Sequence, residues 1–395
     1  MTQVTPAAPG AIDRLKLYYE RNEQKVAILS FICGFFFDIL TVDRADSWYA
    51  IGQQVLYLAV ILAALTQMFL EEGGPPLETG TAVKRWYYRY RTAIVHFFLG
   101  TLLNVYTIFF FKSSSLLVSF AFLGFLVFLL WANESARFKS LGLSFKFTLL
   151  SLCMLCFSAN VVPIFVGSIG LAVFLLSMLA GCLPLLGVVW WLRRGSPDLF
   201  PRARRQMLVP LGGVLIGFLV FYFFRLIPPV PLSIPFIGVY HAVEKTQDTY
   251  RLSHERPAWR FWQHGDQEFL AQPGDRVYVF FRIFSPTRFS DQVQVRWYLK
   301  EEARGWTLQD TIPIKIVGGR AEGFRGYGFK SNYQPGDWKV QVETTDGREI
   351  GRVYFSLETR PEWPRTFEID IELRLLDART LNRRPPGART VASTC

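Results

Sequence analysis

Residues Phe147–Leu192 form a run of 46 residues without a single charged side chain. About 20 apolar residues suffice to cross a bilayer once, so a run of this length predicts two membrane helices back to back. Pro163, Gly167, Ser168 and Gly170 supply the turn, because Pro and Gly break a helix best where freed backbone groups can reach the membrane interface. Shorter apolar segments recur on either side at Val26–Val42, Trp48–Leu70, Thr92–Phe111, Ser115–Ala132 and Met207–Leu226. Together they predict an α-helical polytopic membrane bundle of about seven spans over residues 26–226. Residues 1–25 then form a cytoplasmic segment rather than a cleaved signal peptide, since Arg14, Lys16, Arg21 and Lys25 precede Val26–Val42 with no small-residue cleavage pattern.

The positive charge belongs mainly to this half. Residues 1–236 carry 19 Lys+Arg against 11 Asp+Glu, whereas residues 237–395 carry 24 against 21. Such a bias reads as a topology signal rather than a nucleic-acid footprint. Sixteen of the 19 basic residues fall in the N-terminal segment and in the even loops around Lys84–Arg91, Arg137–Lys146 and Arg193–Arg205. Only Arg44, Lys112 and Arg225 face the other way. The positive-inside rule therefore places the N-terminus in the cytoplasm and everything after Leu226 outside. Cys153 and Cys156 are spaced as C-x-x-C, but inside an apolar helix that spacing reads as packing rather than redox or zinc chemistry.

Polar residues inside the spans define a candidate layer. Asp38, Asn104 and Asn160 each lie roughly 18–20 Å from the cytoplasmic end of their span, and Gln53 and Gln54 enter about 8 Å from the other side. Interhelical hydrogen bonding explains such a layer, as does a functional polar site centred on Asp38, since an intramembrane carboxylate is costly. Asp43, Arg44 and Asp46 cap the adjoining short loop, either as a structural ion pair or as a weak cation site. His96, beside Arg91, reads as a plain interfacial histidine.

After Leu226 the sequence changes character. Ile227–Phe236, IPPVPLSIPF, reads as a stiff unpaired spacer holding the following domain off the bilayer. Short alternating segments then predict strands at Thr249–His254, Trp259–Gln263, Arg276–Phe284, Gln292–Leu299, Ile312–Val317, Phe324–Lys330, Trp338–Thr344 and Arg352–Leu357, with Glu368–Leu373 as a further edge. Val340 and Val342 point one way and Lys339, Gln341 and Glu343 the other, the pattern of a half-buried strand. Gln334–Asp337 carries type II turn chemistry, and Thr345–Arg348 reads as a hairpin turn. The expected fold of residues 237–375 is an all-β, immunoglobulin-like sandwich, with residues 376–395 as a disordered tail.

Several of these residues carry a family resemblance. Arg296-Trp297, Arg325 and Lys330, Pro335-Gly336-Asp337-Trp338-Lys339-Val340, Asp346-Gly347-Arg348 and Phe355 make Val293–Leu357 resemble the bacterial domain of unknown function 2914. Gly326-Tyr327-Gly328 departs from the polar aromatic–serine pattern of that strand. The stretch Asp38–Arg44 with Asp46-Ser47 is similar to the uncharacterised membrane region that often precedes this domain. The resemblance implies a bacterial envelope location and no activity.

Catalytic patterns are missing from the sequence: there is no P-loop, G-x-S-x-G or H-E-x-x-H motif. His241, His254 and His264 lack the paired spacing of zinc ligands and read as scattered surface residues. Aromatics are abundant (Trp259, Trp262, Trp297, Trp306, Tyr327, Tyr333, Trp338), most of them as core or turn anchors. Trp306, Tyr327 and Trp338 beside Arg325 and Lys330 form the candidate surface for sugar rings or a partner peptide. The sequence thus points to a non-enzymatic bacterial inner-membrane protein, without cofactor or metal, whose periplasmic sandwich binds an envelope protein or polysaccharide. The alternative is a small transporter or membrane-embedded enzyme working through the Asp38 layer.

Overall fold

Six apolar helices and eleven strands make up the described part of the chain. The computed structural model describes residues 47–72, 82–113, 116–134, 142–246, 249–257, 259–260, 262–285, 290–317, 323–361 and 364–373. The first expected span, Val26–Val42, the terminal segments, and Asp38, Asp43, Arg44 and Asp46 lie outside these residues.

The helices are α1 (Trp48–Glu71), α2 (Ala82–Lys112), α3 (Leu116–Glu134), α4 (Leu143–Val166), α5 (Leu171–Gly195) and α6 (Val209–Phe223). A 3-10 turn, a one-turn helix at Phe200–Ala203 and a π-turn at Arg204–Leu208 lead into α6. Among the described residues five helices, at Trp48–Glu71, Tyr90–Lys112, Leu143–Val166, Leu171–Gly195 and Pro197–Phe223, are long and apolar enough to cross a membrane; α3 carries a shorter apolar stretch, Phe120–Asn133. The charge-free run is two helices, as its length requires. Gly167 (φ +77) and Gly170 (φ +139) make the turn, while Pro163 sits inside α4. Within these helices polar side chains bond their own backbone. Thr107, Ser151 and Ser177 donate to the carbonyls of Leu103, Phe147 and Val173 at 2.7–2.8 Å, a means of satisfying a hydroxyl where water is scarce.

The chain divides into two compact units. The first comprises Met1–Phe109, Gly124–Met154 and Leu185–Leu211. Within it Arg202 donates to Phe69 O at 2.9 Å and pairs with Glu72, and Arg91 pairs with Glu71 at 2.5 Å. The second comprises Phe110–Leu123, Leu155–Pro184 and Gly212–Cys395, so it holds the β-domain together with the adjoining ends of five helices. Phe122 on α3 touches Phe110 on α2 and Phe218 and Phe221 on α6, with ring centroids 4.9–5.9 Å apart.

The strands are β1 (Ser233–Tyr240), β2 (Ala242–Thr246), β3 (Thr249–His254), β4 (Glu268–Ala271), β5 (Val277–Phe284), β6 (Ser290–Glu301), β7 (Gly305–Val317), β8 (Phe324–Lys330), β9 (Gly336–Thr344), β10 (Glu349–Thr359) and β11 (Glu368–Leu373). They build a five-stranded sheet, β4-β10-β9-β6-β7, and two three-stranded sheets, β1-β5-β8 and β11-β3-β2. Alternation dictates the layering. Val277, Val279, Phe281 and Ile283 of β5 share one core with Val293, Val295, Trp297, Trp338, Val340, Val342 and Phe355 of the large sheet. Phe280, on the opposite face of β5, joins a second core with Tyr240 and Leu252, and Arg282 pairs with Glu372 of β11 at 2.6 Å.

Three expectations need correction here. Ile227–Phe236 is not an unpaired spacer: Ile227, Val230 and Leu232 are buried, and Ser233 and Phe236 pair with Phe284 and Arg282. Pro235 is tolerated because β1 is an edge strand and its register shifts between Ser233 and Phe236. Trp259–Gln263 is a pair of turns rather than a strand, with Arg260 N–H bonding Pro257 O and Gln263 N–H bonding Arg260 O, each at 3.0 Å. Strands β2 and β4 were absent from the expected set; β4 reaches the sheet through a parallel pairing with β10.

Candidate functional site

Two surfaces of the β-domain gather chemistry. The first is the face of β7-β6-β9-β10 turned away from the core. The alternation that buries Val340 and Val342 turns Lys339, Gln341 and Glu343 outward, and Tyr298, Trp306, Arg352 and Tyr354 join them. Trp306 and Tyr354 are exposed, with ring centroids 5.7 Å apart. Lys339 Nζ lies 4.3 Å from the Tyr298 ring centre and 5.2 Å from that of Trp306. Arg296 pairs with Glu343 at 3.2 Å, Gln341 donates to Glu349 at 2.5 Å, and Arg352 pairs with Glu349 and donates to Tyr354 Oη at 2.8 Å. These long side chains cover one another, so Lys339, Gln341 and Glu343 are only 6–9 % exposed. Burial lowers the Lys339 pKa and raises that of Glu343.

The sequence-selected surface residues do not converge. Trp338 is 2 % exposed and belongs to the core, its indole N–H bonding Gln334 O at 2.9 Å. Arg325 is 8 % exposed and opposes Arg282 across the β5–β8 pair. Lys330 pairs with Asp310 and lies 5.6 Å from the Trp338 ring centre. Tyr327 is exposed, but on β8, beside Tyr250 and Tyr278, in a different sheet from Trp306. Neither Trp338 nor Arg325 can serve as an exposed contact. The departure at Gly326 has a steric cause: a Cβ there would fall 2.9 Å from the Phe281 ring.

The polar residues of the helices have individual partners. Gln53 is exposed and bonds Tyr57 Oη at 2.7 Å, whereas its neighbour Gln54 is buried. Gln54 and Asn104 belong to the first unit and Asn160 to the second, where Asn160 donates to Cys156 O at 2.8 Å. His96 is buried, with Nδ1 2.8 Å from Asn133 Oδ1.

The second surface is a cleft of about 280 Å³ between the β3–β4 connection and the end of β10. Glu255, Arg256, Arg260, Asp266, Glu268 and Glu358 supply most of its charge. Gly265 (φ +65) sets the geometry, because a Cβ there would fall 1.9 Å from Val239 O, closer than any side chain permits. The next residue, Asp266, is 3 % exposed; its two oxygens accept the Glu255 N–H at 2.9 and 3.1 Å. Arg260 Nη1 donates to Glu268 at 2.9 Å while its guanidinium lies 5.0 Å from the Trp259 ring centre. Trp259 and Trp262, on the loop that carries Arg260 and Gln263, are 62 % and 59 % exposed, with centroids 5.7 Å apart.

Behind the cleft lies a buried acid–histidine cluster. His241 Nε2 is 3.5 Å from Asp266 Oδ2 and 3.6 Å from Glu255 Oε2, and its ring stacks on Phe269 at 4.0 Å. His254 Nε2 is 3.3 Å from Asp370. The expectation of surface histidines therefore fails for His241 and His254, whose side chains are 4 % and 1 % exposed. Burial raises the Asp266 pKa to about 6 against the opposing pull of the Glu255 N–H, and lowers that of His241 to about 4 with help from the Arg365 charge. Among the described residues no three of His, Cys, Asp and Glu are disposed to hold a metal ion. Sequence periodicity missed the cleft; the only signal was the pair Trp259 and Trp262 in a segment without strand partners.

Residues 290–357 match the family described as Protein of unknown function (DUF2914). The match runs from β6 into β10 and includes every residue of the Trp306–Tyr354 face, but not the Trp259 loop. A search of curated proteins returned no match. An immunoglobulin-like protein from Pseudomonas aeruginosa is 10 % identical, with 33 % of this chain and 98 % of that chain covered and a TM-score of 0.20. A β-glucosidase from Listeria innocua is 12 % identical over 23 % of this chain and 15 % of its own (TM-score 0.18). The DNA glycosylase AlkC from Pseudomonas fluorescens is 10 % identical over 80 % and 99 % (TM-score 0.20). At these scores none of the three bears on substrate or mechanism.

Proposed function

We propose that the chain is a non-catalytic saccharide-binding protein of the bacterial inner membrane, its helices embedded and its β-domain in the periplasm. The carrying observation is the cleft: a concave, mixed-charge hollow with two exposed indoles on its adjoining loop. Pyranose rings present C–H faces that stack on indole and hydroxyls that need paired donors and acceptors, which Arg260, Glu268, Gln263 and Glu255 supply. Helices of the observed length and apolarity support the embedding, and the distribution of Lys and Arg supports a cytoplasmic N-terminus. The test is tryptophan fluorescence of the detergent-solubilised full chain against soluble peptidoglycan and lipopolysaccharide-core oligosaccharides. Saturable binding that Trp259→Ala and Trp262→Ala abolish supports the reading, and no response to any of them contradicts it.

A second reading has its own observation. Trp306 and Tyr354, exposed beside Lys339 and Arg352, have the composition of a protein-docking patch, and all four lie in the segment shared with the family. Photocrosslinking from position 306 in cells that captures one defined envelope protein favours this reading over the saccharide.

A further inference from the structure

Helix α6 ends in a cap to which arginine is ill suited. The N–H of Arg225 bonds Tyr222 O at 2.9 Å and the N–H of Leu226 bonds Phe221 O at 2.8 Å, the paired bonds of a Schellman cap. Arg225 occupies the left-handed position of that cap, with φ +59, and among the described residues no other non-glycine has a positive φ. A Cβ crowds the backbone there, which is why glycine usually takes the position. Across from it Gly347 leaves room for the guanidinium, since a Cβ on Gly347 would lie 2.8 Å from Arg225 Nη1. Yet that side chain is exposed and makes no hydrogen bond or ion pair among the described residues.

Beside Arg225 is a cavity of about 560 Å³, walled by side chains such as Leu171, Leu219 and Phe223 and bounded at one end by Arg225, Asp346 and Arg348. Asp346 and Arg348 neutralise each other at 2.9 Å, and Glu343, the carboxylate whose charge reaches Arg225, is itself paired with Arg296 at 3.2 Å, so Arg225 presents an exposed guanidinium at this end. Phe223 and Phe224, next to it, are 82 % and 66 % exposed. An open apolar groove that ends in an exposed guanidinium is complementary to an amphiphile with an anionic head. Because α5 and the Pro197–Phe223 stretch that ends in α6 are apolar and long enough to cross a membrane, the nearest such amphiphile is a lipid of the bilayer itself.

We propose that this cavity holds an anionic phospholipid, its phosphate on the Arg225 guanidinium and an acyl chain along Leu219 and Phe223. The assignment rests on the reading that α5 and α6 span a membrane. Native mass spectrometry of the full chain, released from detergent and titrated with phosphatidylglycerol or phosphatidylcholine of identical chains, tests it. Arg225→Gly removes the charge while giving the cap its preferred residue, so the variant folds; Arg225→Lys keeps the charge. The wild type binds phosphatidylglycerol more tightly than phosphatidylcholine, and Arg225→Gly loses about fivefold for phosphatidylglycerol alone, the worth of one basic residue near an anionic headgroup. Arg225→Lys retains most of that affinity. Equal binding of the two lipids by the wild type, or wild-type phosphatidylglycerol affinity in Arg225→Gly, overturns the proposal. Extraction of native membranes with alkaline carbonate separates the two failures: release of the chain overturns the membrane reading and the lipid site with it, whereas retention with no lipid preference overturns the lipid site alone.

Discussion

The hydroxyl of Tyr222, in the last turn of α6, donates to Asp346 Oδ2 in the β9–β10 turn at 3.0 Å. The Tyr222 ring stacks on Phe174 of α5 at 3.9 Å, and Arg348 lies 5.0 Å from its centre. Nearby, the Ile169 N–H in the α4–α5 turn bonds Asp291 of β6 at 3.1 Å. The β-domain is therefore fastened to the helix ends within one compact unit rather than carried on a tether.

This fastening has a measurable weight. Asp346→Ala leaves Arg348, 7 % exposed, without its carboxylate partner, and costs about 2 kcal/mol of thermal stability in detergent, discounted for the partial exposure of Asp346. Tyr222→Phe keeps the stack and loses one charge-assisted hydrogen bond, about 1 kcal/mol. Burial alone would raise the Asp346 pKa, but the Arg348 charge and the bonds from Thr344 and Tyr222 prevail and hold it below 3.8. The contribution is thus fully present above pH 3.8 and fades as the pH falls through the depressed folded value. Identical acid unfolding profiles for the wild type and Asp346→Ala would contradict this account.

The Asp266–His241 pair predicts two opposed pH dependences. The folded state holds the Asp266 proton up to about pH 6, against 3.8 unfolded, so this group makes stability fall as pH rises through that window. The folded state releases the His241 proton by about pH 4, against 6.5 unfolded, so this group makes stability rise with pH over nearly the same window. In the wild type the two nearly cancel between pH 4 and 6. Asp266→Asn exposes the rising histidine slope, and His241→Gln exposes the falling aspartate slope, each worth on the order of 2–3 kcal/mol across the window. Melting temperatures measured at half-unit pH intervals check this; slopes of the same sign in both variants would defeat it.

Trp338 and Trp306 separate core from surface. Trp338→Ala opens a cavity among Trp297, Val340 and Phe355 and costs about 3–5 kcal/mol. Trp306→Ala removes a half-exposed ring and stays within about 0.5 kcal/mol. Denaturant midpoints of the two variants, at unchanged m, provide the comparison.

Trp259→Ala and Trp262→Ala leave the melting temperature nearly unchanged, because both rings are largely exposed, yet they remove saccharide binding. A weaker lesion, Glu268→Gln, frees Arg260 from its partner and lowers affinity without loss of fold. Isothermal titration with the tightest oligosaccharide found distinguishes these effects; full binding by the double tryptophan variant would rule the cleft out as the site.

Elements with a strong local signal were legible from sequence. Thr249–His254, Phe324–Lys330 and Glu368–Leu373 are strands with the expected bounds, because period-two alternation between turn residues survives in any packing. The Thr345–Arg348 turn is likewise in place, with the Gly347 N–H bonding Thr344 O at 2.9 Å. Strand β1 was hidden, because proline ordinarily argues against pairing and only its edge position and bulge permit Pro235. The cleft was hidden for a different reason. Asp266, Glu255 and His241 come from three separate segments, and the close approach at Gly265 that joins them leaves no periodic mark. Trp338, expected on the candidate surface beside Arg325 and Lys330, is buried instead, because its indole N–H finds Gln334 O and its ring packs in the core.

Every functional reading here requires the helices in a membrane and the β-domain outside the cytoplasm. Paired fusions to the full chain after Cys395 measure that side most directly: a phosphatase active only in the periplasm, and a fluorescent protein dark there. The account predicts high phosphatase activity and no fluorescence; a bright, phosphatase-inactive pair would place the β-domain in the cytoplasm and contradict it.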